Sequence, residues 1–94
     1  MKIKRYYVEV FVEPEAYEMV RLLRRGDGLS LRMEDSRVKV FLDGKEIGVV
    51  RGKKRVLVSA LFEFEREVDA LFYNMNEKEG VMLVRVKTND EPYK

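Results

Sequence analysis

The stretch Val56 to Met75, VLVSALFEFEREVDALFYNM, constrains this chain more than any other. Leu61, Phe64, Val68, Leu71 and Met75 recur at spacings of 3, 4, 3 and 4, which is one helical stripe. Ser59 stands where a hydroxyl caps the first free N–H groups, and Glu63 and Glu65 suit the positive end of a helix dipole. The spacing predicts a strand ending near Val58 and a helix from Ala60 to Met75. A strand reading competes with it. Phe62-Glu63-Phe64-Glu65 alternates with period two and Val56-Leu57-Val58 favours a pleated surface, so a strand can run from Arg55 to Glu65, with helix only from Arg66 to Met75. The period-two signal stops at Arg66 while the helical stripe continues, which favours the longer helix.

The remaining elements follow in order. Ile3 to Val12 reads as a strand with Tyr6, Val8, Val10 and Val12 on one face and Tyr7, Glu9 and Phe11 on the other. Pro14 suits a first helical position, and Ala16, Met19, Val20 and Leu23 form a stripe that predicts a helix over Pro14 to Arg25. Gly26-Asp27-Gly28 stops it. Leu29 to Glu34, Arg37 to Leu42 and Lys45 to Val50 alternate as strands, joined by Asp35-Ser36 and the hairpin signal Asp43-Gly44. Ile47 and Val49 are assigned inward, Phe41 and Val50 outward. Val81 to Thr88 reads as the last strand, and residues 89–94 as a fraying polar tail. The order predicts one domain over residues 1–94 of α+β class: an antiparallel β-sheet with two helices on one face, a ferredoxin-like βαββαβ plan with an added hairpin.

Composition narrows the chemistry. His, Cys, Trp and Gln are all missing, and 38% of residues are charged, against roughly 25% in an average domain. Charged residues in place of Gln and Cys fit a heat-adapted intracellular protein. Without His or Cys the commonest general base and the strongest nucleophile are lacking, so no catalytic residue, cofactor or metal is expected. Glu65 and Asp69 lie four apart, but two carboxylates make a solvated face more readily than a cation site. No apolar run approaches the ~20 residues of a membrane helix, and no apolar signal region follows the basic start, so a cytoplasmic protein is expected.

Two surfaces stand out. A sheet covered on one side should be polar on the other. Here the outward set contains Tyr7, Phe11, Phe41 and Leu57, with Phe62, Phe72 and Tyr73 off the helical stripe. Aromatic surplus of this kind predicts a partner interface, in a homodimer or as the small subunit of a complex. The second surface is the basic turn Arg51, Lys53, Lys54 and Arg55, which Arg21, Arg24 and Arg25 can extend, and it suits nucleic-acid phosphates as the alternative function. Residues 1–58 carry 14 basic and 9 acidic groups, net +5, and residues 59–94 carry 5 and 8, net −3. Such polarity can orient a partner.

The order strand, helix after Glu13-Pro14, strand pair, then Ser59-Ala60-Leu61 opening a second helix resembles the small dimerisation subunit of the KEOPS tRNA-modification complex and its archaeal paralogues. The resemblance spans roughly residues 3–75, and its one literal motif is the short Ser-Ala-Leu. The strands Lys45 to Val50 and Val81 to Thr88 depart from that plan, and the aromatic run expected late in the helix is here only Phe72-Tyr73. The resemblance implies a non-catalytic accessory subunit supporting threonylcarbamoyl-adenosine formation on tRNA, with no catalytic residue to carry over.

Overall fold

The computed structural model describes residues 2–52, 58 and 68–90. Strand β1 (Lys2–Val12) leads through a 3-10 turn (Pro14–Ala16) into a five-residue helix, α1 (Tyr17–Arg21). Strands β2 (Gly28–Glu34), β3 (Arg37–Leu42) and β4 (Lys45–Arg51) form a meander. Strands β5 (Val68–Asn76) and β6 (Val81–Asp90) form a hairpin. All neighbours are antiparallel, in the cyclic order β1-β4-β3-β2-β5-β6, and the β1–β6 pairing closes the barrel.

The ferredoxin-like α+β plan is therefore wrong: this is a closed six-strand barrel with one short helix among the described residues. The error lies in Val68–Asn76, a strand rather than the end of a helix. Ala70 and Phe72 point inward, and Phe72 pairs with Val84. The register then slips between Phe72 and Asn74, so Tyr73 is an extra residue and Met75 returns to the inner face opposite Met82. A bulge shifts the phase of an alternating strand by one residue. Leu71 and Met75, four apart, fit a helical stripe but lie on opposite faces, and the inward Phe72 and Met75 stand three apart, as on a helix. Residues 60–67 of the expected second helix lie outside the described residues.

Closure follows from what fills the barrel. Val8, Val10, Val12, Val38, Val40, Val50, Val84 and Val86 point inward and are buried, with Ile47, Met82, Ala70 and Phe72. Medium β-branched side chains suit both a pleated strand and a narrow barrel interior, which they fill. Ala16 and Val20 of the short helical segment join this core from one end, and Val58 is buried with them. The helix predicted for Pro14 to Arg25 ends at Arg21, with Leu22, Leu23 and Gly26 in turns.

Both hairpin signals hold. Asp35 and Ser36 have φ of 52° and 64°, and Asp43 and Gly44 have φ of 51° and 83°, the mirror-image turns that match strand twist. In β4 the inward assignment holds for Ile47 but the faces of Val49 and Val50 are exchanged. Val40 opposes Gly48 but Phe41 opposes Glu46, which leaves Ile47 as the extra residue. Val50 is consequently inward opposite Val10, and Val49 outward opposite Phe11.

Lys39 on β3 lies 3.5 Å from both Glu34 and Glu46. Glu46 first, then Glu34, raises its pKa above the ordinary 10.5. A raised pKa stabilises the fold while the lysine is charged, so this contribution is lost only as pH climbs past that value. The pair is on the surface, and Lys39→Met is expected to leave the urea midpoint at neutral pH nearly unchanged. A large shift would show a tighter charge network across β2, β3 and β4.

Candidate binding face

Antiparallel pairing brings the outward residues of β1, β6 and β5 onto one wall. Tyr7 lies opposite Arg85, Glu9 opposite Leu83 and Phe11 opposite Val81. On the far side of β6, Arg85 faces Leu71 and Leu83 faces Asn74. The bulge residue Tyr73 meets Tyr7 edge to face, ring centroids 5.0 Å apart, so the two rings span the intervening strand. Phe11 is the most open large side chain of this wall, at 52% exposure, and Tyr7 is 41% exposed.

An arginine accompanies each ring. The Arg25 guanidinium lies 4.2 Å from the Tyr73 ring centroid, and its Nε–H donates to the Tyr73 carbonyl at 3.2 Å. Arg51 lies 5.7 Å from the Phe11 ring and pairs with Glu9 at 3.1 Å. Such cation–π contacts each contribute about 0.5–1 kcal/mol where exposed. Arg85 is placed by register between Tyr7 and Leu71. It is half-buried, and its Nε is covered with no hydrogen-bond acceptor.

The β5–β6 turn gives this wall an acidic end. A recess of about 680 Å3 is lined by Glu9, Asn76, Glu77, Glu79, Val81 and Leu83, among others. Glu77 takes a hydrogen bond from Arg21, which raises the arginine's pKa further above its usual value. Among the described residues no group of three or more His, Cys, Asp or Glu side chains is placed to hold a metal ion. A second, more apolar recess of about 470 Å3 lies between α1 and the β3–β4 turn, lined by Met19, Leu22, Leu23 and Leu42, with Leu22 82% exposed.

The expected interface is thus divided. Tyr7, Phe11 and Tyr73 come together on one wall. Phe41 faces outward from β3 but is buried at 7%, with the Arg32 guanidinium 4.5 Å over its ring. Phe72 is part of the core. Leu57 and Phe62 lie outside the described residues, as do Lys53, Lys54 and Arg55 of the basic turn. Arg51 is exposed but belongs to the aromatic wall. Sequence reasoning missed Arg85, and it grouped Arg25 with the basic turn rather than with Tyr73. The signal for Arg85 was present, since it alternates out of phase with Met82, Val84 and Val86. Arg25 reaches the wall only through the chain reversal that pairs Gly26 and Asp27 with Phe72.

No protein-family model matches the chain, and no curated protein matches it in sequence. A solved structure similar to it is that of a protein from Lactobacillus plantarum, a structural-genomics target. The two are 11% identical, with a TM-score of 0.70 over 93% of this chain and 97% of the other. At that identity the likeness concerns the fold, and it supports the barrel. Among the described residues no helix is long and apolar enough to cross a membrane.

Proposed function

We propose that this chain is a non-catalytic binding module that acts in the cytoplasm through the outer wall of β1, β6 and β5. The observation that carries the reading is Phe11, half exposed beside the Tyr7–Tyr73 pair on a barrel whose interior is already filled. Apolar surface left in water costs roughly 25 cal/mol per Å2, and aromatic rings are the usual anchors of recognition surfaces. Among the described residues the inward side chains pack into one buried core, which favours recognition on the outer wall. The accessory-subunit role in tRNA modification was implied by an order of elements over residues 3–75 and by Ser59-Ala60-Leu61, which lies outside the described residues; the strand Val68–Asn76 departs from that order, and the wall supports the broader reading of a binding module.

Affinity purification from native lysate tests the reading. The unmodified chain should co-elute with a protein or nucleic-acid ligand that Phe11→Glu loses at unchanged melting temperature. Leu22→Glu, on the other recess, should retain it. The reverse pattern, with Leu22→Glu losing the ligand and Phe11→Glu keeping it, would move the binding surface to α1.

A further inference from the structure

We propose that the occupant of this wall is single-stranded nucleic acid, with bases against Phe11 and the Tyr7–Tyr73 pair and the phosphate backbone along Arg85, Arg25 and Lys87. The inference rests on the wall being the binding face and names its ligand. Proteins that hold single strands without reading sequence combine stacking rings with cations that follow the backbone. Here the two are interleaved: Arg25 with Tyr73, Arg51 with Phe11, and Arg85 opposite Tyr7.

Arg85 supplies an independent observation. Its Nε is buried without an acceptor, although arginine presents five donors and a covered, unpaired donor is costly. With Nε covered, it is the rest of the half-buried guanidinium, opposite Tyr7, that would meet an anion, and phosphate oxygens meet a guanidinium through paired hydrogen bonds. Lys87 is next on the same face of β6. The charge along the wall then sets the path. At the Val81 end Glu79 repels phosphate, with Glu77 paired to Arg21 and Lys78 in the same recess, while Arg85 and Lys87 outnumber Asp69 at the other end, so the backbone crosses there and Phe11 receives a base.

A protein partner fits less well. A standard interface needs about 800 Å2 per side with a core depleted of charge. With Phe41 covered and Phe72 in the core, the outward rings that remain each have an arginine beside them.

The test is fluorescence anisotropy with labelled oligo-uridine and oligo-deoxythymidine of about 10 nucleotides, a length within the site sizes of known single-strand binders. Both single strands should bind, and affinity should fall about tenfold or more between about 50 and 200 mM salt if three cations meet phosphates. Phe11→Ala should weaken binding about fivefold or more while leaving the salt slope unchanged. Arg85→Gln should flatten that slope by about one phosphate contact, and Arg25→Gln should do the same without touching the buried position. No single-strand binding at low salt overturns the inference, as does equal affinity for duplex DNA of the same length. Sedimentation at high salt separates that failure from a failure of the binding face itself. A salt-resistant assembly split by Phe11→Glu would leave the face standing with a protein partner. A monomer indifferent to Phe11→Glu, with no oligonucleotide bound, would overturn both.

Discussion

Gly48→Ala is expected to destabilise the barrel by about 3 kcal/mol, the upper range for forcing atoms into a packed interior. Gly48 lies on β4 opposite both Val12 and Val40, where three strands pack closely. A Cβ there would stand 2.6 Å from the Phe11 carbonyl oxygen and 2.7 Å from Val10 Cγ1. The Val10 side chain can rotate away, but the carbonyl belongs to the β1 backbone, so relief requires β1 and β4 to separate. Alanine restricts the unfolded chain and recovers only about 0.4–1 kcal/mol. The clash wins by a wide margin. Urea unfolding followed by far-ultraviolet circular dichroism measures it. A loss below about 1 kcal/mol would mean that the β1–β4 seam is looser than the pairing requires.

Phe72→Ala is expected to cost about 3–5 kcal/mol, a large share of the roughly 5–15 kcal/mol that holds a domain together. The ring is in the core and opposes Val84 across the β5–β6 pair. Leu71→Ala, one residue earlier on the outer wall, should cost only about 1 kcal/mol, because a half-buried side chain loses only part of its transfer term. The pair of variants distinguishes the two conformations of this stretch. A helix with Leu71 on its buried stripe reverses the order of the two losses, whereas the strand makes Phe72 the costly one. Measuring both in one denaturant series removes most of the uncertainty in absolute stability.

These two positions also show where local pattern and fold part company. At β1 the pattern was sufficient. Val8, Val10 and Val12 alternate with Tyr7, Glu9 and Phe11, and the barrel keeps both faces as read. At Asp43-Gly44 the turn type follows from two residues that tolerate positive φ. Around Phe72 the pattern misled, because the bulge at Tyr73 sets the inward residues Phe72 and Met75 three apart, a helical step rather than a period-two one. The same thing happened at Ile47, where one extra residue exchanged the faces of Val49 and Val50. A bulge is set by pairing with strands far away in the chain, so no local window contains its cause.

The binding face was legible to the same extent. Tyr7 and Phe11 were recognisable as outward aromatics because alternation within one strand is a local property. That Tyr73 joins them, while Phe72 does not, depends on the bulge. That Phe41 is covered depends on Arg32 of the neighbouring strand. The arginines Arg25, Arg51 and Arg85 are up to 60 residues apart in the chain; the β1–β4 pairing sets Arg51 beside Phe11, and closure of β6 onto β1 sets Arg85 opposite Tyr7.

The sequence by itself determined which segments are extended at β1 to β4 and β6, where the tight turns fall, and that a β-branched face would be buried. These are properties of neighbouring residues, governed by side-chain alternation and turn dihedrals. The tertiary structure alone decided that β5 is a strand, that the sheet closes, and that three aromatics and three arginines share one surface. Each of those depends on hydrogen bonds and packing between residues distant in the chain, whose free energy exceeds the small local preference of a stretch such as Val68–Asn76 for helix.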